Sequence, residues 1–310
     1  MIRGFVMRRK LLAAALIVAL LAAGFYFRPL SFLFFYRDLV LWSRGAESRF
    51  VKAGPHRLHY LSQGEGRPLV ILPGLMTRGA DASPLMAAFA PRRRVIALDL
   101  LGQGDSASPD IAYSIRQQGD AVIAFLETTR TGPADLLGVS MGGWVALDVA
   151  ARRPDLVRNL ILASSGGLRF ETSLTPRSFA PQDVDELYAL MRLQSPNPPE
   201  RLPRFIARDA VRQLKRSEWV TLRAARSMIS WRDAYDGRLG GVKVRTLVYW
   251  GDQDRLIPLD VGRRLAAGIP DARLVVSPGC GHLAVLECKD SFVAAATRFL
   301  DDTADKPPDA

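Results

Sequence analysis

The chain is poor in the side chains that build disulfide frameworks and metal sites. Among 310 residues it has two cysteines, Cys280 and Cys288, and three histidines, His56, His59 and His282. Two cysteines exclude a disulfide framework and zinc spacing of the paired-cysteine kind. The pair lies eight residues apart and could bridge in an oxidising compartment; the sequence leaves that open. Internal repeats and low-complexity tracts are absent, which removes solenoids and propellers. No long basic block with interleaved aromatics occurs, so nucleic acid is not an expected partner. Yet the formal net charge is +11, and an acidic membrane surface suits that charge better.

What is present begins with an apolar run. Residues 11–27, LLAAALIVALLAAGFYF, carry no charge and follow Arg3, Arg8, Arg9 and Lys10. As a helix, 17 residues would span roughly 25 Å, the short end of what crosses a bilayer core. The basic flank predicts a cytoplasmic N-terminus and an extracytoplasmic, periplasmic-side domain. Residues 1–28 are therefore expected to be a single-pass membrane anchor, with a cleaved signal sequence as the alternative because Ala22-Ala23-Gly24 offers a cleavage site. The following LSFLFFYRDLVLW predicts an interfacial linker over 29–48.

From residue 49 strands and helices alternate. PLVILPG, RRVIALDL, ADLLGV, VRNLILAS, VRTLVYWG and ARLVVSP are near-continuous apolar runs of the kind buried on both faces of a parallel sheet. Helical segments between them predict an α/β class, a mostly parallel doubly wound sheet. The core is assigned to 49–165 and 242–302. Residues 166–241 contain amphipathic helical stretches but no buried strand, and predict a helical cap inserted into the core. Residues 303–310 read as a tail.

The chemistry centres on GVSMGGW, Gly138 to Trp144. It fits neither a phosphate loop nor a dinucleotide turn. A structural glycine turn would account for the pentapeptide alone. A strand before it and a helix after it instead fit a sharp turn that exposes the Ser140 hydroxyl above the sheet. A serine needs a base, and the base needs an orienting group. His56 and His59 lie on the early strand pair and read as surface or half-buried strand residues. His282, in the loop after the last strand, is placed where ligands meet an open α/β sheet. The acid is expected between serine and histidine in chain order. Asp254 in WGDQDRLIP is preferred, with Asp252 capping that turn through backbone N–H groups. Asp135 and Asp148 read as structural. The oxyanion of an attacked carbonyl would take the backbone N–H groups of Met141 and Leu75. Trp144 is open between pocket wall and helix packing.

These residues resemble the α/β-hydrolase superfamily from about Phe50 to Leu300. LPGLM is similar to its oxyanion loop, GVSMGGW to its nucleophile elbow, and WGDQDRLIP and GCGHLAVLE to its acid and histidine loops. The resemblance implies an α/β-hydrolase fold with Ser140, Asp254 and His282 as triad, Leu75 and Met141 at the oxyanion hole, and no metal or cofactor. Two positions depart: Pro73-Gly74 where His-Gly is common, and Gly102-Gln103-Gly104 where Gly-His-Gly is. Together with the anchor, the architecture is similar to membrane-anchored, monoacylglycerol-lipase-like members. The expected function is hydrolysis of apolar or lipid-like carboxylic esters through an acyl-enzyme. The alternative is carbon–carbon bond or amide hydrolysis on the same triad. A non-catalytic binding protein would lack a triad member, and none is missing. Oligomeric state is not legible.

Overall fold

The computed structural model describes residues 14–16, 18, 22–198 and 202–302. Of the expected anchor, residues 22–27 are helical, and most of the rest lies outside the described residues, as does the tail 303–310. Among the described residues no helix is long and apolar enough to cross a membrane.

Eight strands form one sheet in the order β1-β2-β4-β3-β5-β6-β7-β8. They are β1 Glu47–Ala53, β2 His56–Gln63, β3 Pro68–Leu72, β4 Arg94–Leu98, β5 Ala134–Val139, β6 Val157–Ala163, β7 Thr246–Gly251 and β8 Ala272–Ser277. β1 pairs antiparallel with β2, and β2 antiparallel with β4; all other neighbours are parallel. Leu69 to Leu72 and Ala134 to Gly138 are buried without alternation, because both sheet faces are covered and neither row can meet water.

One face carries α3 Ile115–Thr128, α4 Met141–Arg152 and α8 Leu259–Gly268. They pack Val122, Phe125, Trp144, Val145 and Leu265 into one core. α3 starts where Ser114 accepts the Gln117 N–H while the Gln117 side chain accepts the Ser114 N–H, a reciprocal cap that satisfies two orphan donors. The opposite face carries α2 Ser83–Phe89 and α10 Lys289–Asp301, whose Met86, Phe89, Phe292 and Phe299 form a second core. Each fully buried Leu or Phe contributes on the order of 1.5–3 kcal/mol.

The cap follows β6 and contains α5 Val184–Gln194, α6 Arg204–Arg216 and α7 Glu218–Ile229. Leu187, Ala207 and Val211 give it a small apolar centre. The segment expected as an interfacial linker is mostly one helix, α1 Pro29–Ser43, docked on the cap. Buried Asp209 of α6 accepts the Leu30 N–H at 3.0 Å, placing a carboxylate at the positive end of α1. Arg212 donates to the Phe27 carbonyl at 3.0 Å. The outer side of α1 leaves Phe35 and Trp42 exposed at 70% and 72%, with Leu33, Tyr36 and Leu39 beside them.

Candidate active site

β3 and β5 are neighbours at the centre of the sheet, and the connections from this pair lead to opposite faces. A crevice opens at the carboxyl ends of the strands for that reason, and β3, β5, β7 and β8 all deliver loops into it.

Ser140 directly follows β5 with φ 56° and ψ −119°, a backbone state that costs a non-glycine residue about 1–3 kcal/mol. Several bonds hold it there. The Ser140 N–H donates to the Ala163 carbonyl at 3.0 Å, and its own carbonyl accepts from Gly143, Trp144 and Gly166. The glycines admit close backbone packing. A Cβ on Gly138 would lie 2.3 Å from the Gly142 carbonyl oxygen, and one on Gly142 would lie 2.2 Å from that of Leu72. The second contact presses the start of α4 against the loop after β3, bringing the backbones of Met141 and Leu75 to the same crevice. Neither N–H makes a backbone hydrogen bond among the described residues.

The structure brings the three distant side chains together. His282 Nε2 lies 2.9 Å from Ser140 Oγ, and His282 Nδ1 lies 2.9 Å from Asp254 Oδ2. Asp254 Oδ1 accepts the Leu256 and Ile257 N–H groups at 3.0 and 2.9 Å. The carboxylate is thus buried, saturated, and aimed by its own turn. Asp252 does not cap that turn, as expected of it; it reaches across and accepts the Gly279 N–H at 2.7 Å, tying the acid loop to the histidine loop.

Residues that sequence reasoning passed over clamp the histidine loop. The His282 N–H donates to the Gln194 carbonyl at 2.8 Å, so the end of cap helix α5 holds the imidazole-bearing backbone. Glu287, in the short helix α9 Ala284–Glu287, accepts the Gly281 N–H at 2.7 Å. Cys280 and Cys288 form a disulfide, with Cα atoms 6.3 Å apart. Spacing left this pairing open: the turn at α9 folds the chain back and closes an eight-residue separation. Such a short loop contributes about 2–3 kcal/mol in the chain-entropy account.

His59 is a second correction. It is buried, not a surface strand residue, with Nδ1 2.7 Å from Asp99 Oδ2 and Nε2 2.9 Å from Ser48 Oγ. Asp99 also accepts the Gly79 and Asp105 N–H groups at 2.6 and 2.9 Å. His59, Asp99 and Asp105 bring donor atoms within 4.8 Å of one another. Both Asp99 oxygens already accept hydrogen bonds, however, so the cluster serves as a tie between β2, β4 and the loop after β3. The sequence signal was weak, because nothing in LHY shows that its partner lies forty residues on.

Asp135 and Asp148 lie away from the triad. Burial pushes both carboxyls up, opposed at Asp135 by Asn159 and Arg93 and at Asp148 by Arg152. Arg93 bonds Asp135 at 2.7 Å, and Tyr235 donates to Asp148 at 3.0 Å.

Two hollows meet at Ser140. One is lined by Trp144, Phe170, Leu174, Met228, Ile229 and Trp231, with no charged side chain. Trp144 is both wall and packing residue: it stacks on Trp231 with ring centres 6.0 Å apart, and its indole donates to the Asp233 carbonyl at 3.2 Å. The other hollow runs past His282, Leu85, Val285 and Leu286 to Arg78 and Asp81 near α1.

Comparisons with known proteins fit this geometry. The model of the alpha/beta hydrolase family matches residues 69–296. The 2-hydroxy-6-oxo-6-phenylhexa-2,4-dienoate hydrolase of Comamonas testosteroni is 30% identical over 289 residues, covering 83% of this chain and 98% of that protein. The 2-hydroxymuconate semialdehyde hydrolase of Pseudomonas sp. (strain CF600) is 30% identical over 275 residues, covering 81% and 93%. Among solved structures, a membrane phospholipase A described as a bacterial virulence factor shares the fold with a TM-score of 0.83 at 22% identity, covering 96% of this chain and all of that one.

Proposed function

The chain belongs to the alpha/beta hydrolase family, and from that premise we propose that it hydrolyses carboxylic esters of apolar, lipid-like acyl groups by way of an acyl-enzyme on Ser140. Asp254 accepts a hydrogen bond from the His282 Nδ1–H, leaving Nε2 free to take the Ser140 proton as Oγ attacks the carbonyl. The oxyanion forms against the N–H groups of Met141 and Leu75. Collapse breaks the ester bond, and His282 returns its proton to the departing alcohol. Water, activated by the same imidazole, then releases the acid.

The observation that carries the ester reading is the uncharged hollow walled by Trp144, Phe170, Met228 and Trp231. It suits the acyl chain of an apolar ester. A second reading, hydrolysis of a carbon–carbon bond in a dienoic acid, is the one the named relatives favour: two of them, 30% identical, are hydrolases of such compounds. One preparation assayed on p-nitrophenyl butyrate, a monoacylglycerol and 2-hydroxy-6-oxo-6-phenylhexa-2,4-dienoate separates the two. Ester kcat/KM at least about tenfold above that for the dienoate is expected, a difference of about 1.4 kcal/mol in transition-state binding. The reverse order would replace the ester reading with the second one.

The same proposal places the protein at a membrane, anchored by its N-terminal segment with the catalytic domain on the extracytoplasmic side. Exposed Phe35, Tyr36 and Trp42 on α1 and the +11 charge support contact with an anionic lipid surface. The Cys280–Cys288 bridge supports an oxidising compartment. In protein denatured directly from intact cells, maleimide is expected to label these cysteines only after reduction. Labelling before reduction would place the domain on the reducing side.

A further inference from the structure

The hollow between Ser140 and α1 ends at Arg78. Arg78 is half-buried and lines both this hollow and the neighbouring cavity beneath α1. Its guanidinium lies over the Phe34 ring of α1 at 4.4 Å. Of the carboxylates that line these two hollows, Asp38 and Asp81 pair with Arg37, Asp99 is bonded to His59 and to the Gly79 and Asp105 N–H groups, and the Asp105 side chain is exposed. Asp81 Oδ1 pairs with Arg37 of α1 at 2.6 Å, and its Oδ2 accepts the Arg78 backbone N–H at 3.0 Å. Arg78 makes no ion pair among the described residues, and its Nη2 atom is buried without a hydrogen-bond partner. A buried guanidinium N–H left unpaired is costly, and a carboxylate or phosphate oxygen is its strongest complement. α1 thereby builds the far end of the site: Phe34 supports the guanidinium, and Arg37 pairs with Asp38 and Asp81, two of the acids beside it.

We propose that Arg78 receives an anionic oxygen group on the part of the substrate that occupies the hollow between Ser140 and α1. The other, uncharged hollow takes the apolar part. The substrate is then a two-ended molecule, apolar on one side of the reacting carbonyl and anionic on the other. This rests on the serine-hydrolase reading above. The anion has two possible sources, the phosphate of a glycerophospholipid or the carboxylate of a dienoic acid, and the experiment separates them.

The full chain in detergent micelles, as wild type, Arg78→Gln and Arg78→Lys, is assayed on three substrates. They are a lysophosphatidylglycerol, the monoacylglycerol of the same chain length, and 2-hydroxy-6-oxo-6-phenylhexa-2,4-dienoate. The reading is the ratio of anionic to neutral kcat/KM. Arg78→Gln is expected to lower that ratio by about 10- to 100-fold, chiefly through KM, because a charge-assisted pair is lost. Arg78→Lys is expected to recover most of it. A fall in the lysophospholipid arm identifies a phosphate, and a fall in the dienoate arm a carboxylate. Ratios unchanged in both arms overturn the assignment, as does a ratio lost equally in the lysine variant. Fluorophosphonate labelling of Ser140 in every variant reports a folded site. Wild type that fails to label would sink the serine-hydrolase reading itself, whereas labelled protein with unchanged ratios sinks only the role of Arg78.

Discussion

Replacing Ser140 by alanine is expected to lower ester turnover by about a millionfold, leaving only what the oxyanion donors and substrate binding supply. The change removes one oxygen and with it the 2.9 Å contact to His282. It keeps the backbone bonds to Ala163, Gly143, Trp144 and Gly166 that define the elbow, so the melting temperature should stay within a degree or two of wild type. A fluorophosphonate probe should label the folded wild type once and the variant not at all. Labelling that survives Ser140→Ala, or turnover reduced less than about a hundredfold, would place the nucleophile elsewhere.

The second large effect concerns the acid. Asp254→Asn is expected to lower kcat by about 10⁴ while leaving the fold intact. An asparagine can keep its carbonyl oxygen on the Leu256 and Ile257 N–H groups, which points its amide N–H₂ at His282 Nδ1. That nitrogen must then accept, the proton moves to Nε2, and the imidazole can no longer take one from Ser140. Asp252→Asn retains an oxygen for the Gly279 N–H and should change kcat by no more than a few-fold. If the two variants exchanged their effects, the orienting role would belong to Asp252. The comparison is sharp because the carboxylates are two residues apart, with Asp254 buried against His282 and Asp252 exposed on the Gly279 N–H.

That difference was partly open to reading in the chain. The elbow was legible because its constraint is local: strand, serine among glycines, helix. The sheet was legible for a similar reason, since a strand buried on both faces has to be almost wholly apolar, as PLVIL is and as ADLLGV is but for Asp135. Asp254 was legible only through chain order and its place just beyond a strand end. Its second task, capping its own turn, had been given to Asp252, because two acids in one GDQD stretch have nearly the same local context. His59 was read as a bland strand residue because its partners, Asp99 and Ser48, lie on other strands. The bridge between Cys280 and Cys288 depended on the direction of the short helix between them, which spacing alone leaves open.

Taken alone, then, the amino-acid order determined whatever follows from periodicity and short-range sterics: the alternating α/β layout, the inserted cap, the apolar N-terminal run and the sharp turn at Ser140. Tertiary structure decided what depends on distance between remote groups. It put His282 against Ser140 across 142 positions, hung the histidine loop on Gln194 of the cap, and set Phe34 of α1 beneath the Arg78 guanidinium. Side-chain chemistry is local, but hydrogen bonds and charge pairing act over about 3 Å of space whatever the separation along the chain. Only the folded chain shows which groups come within that reach.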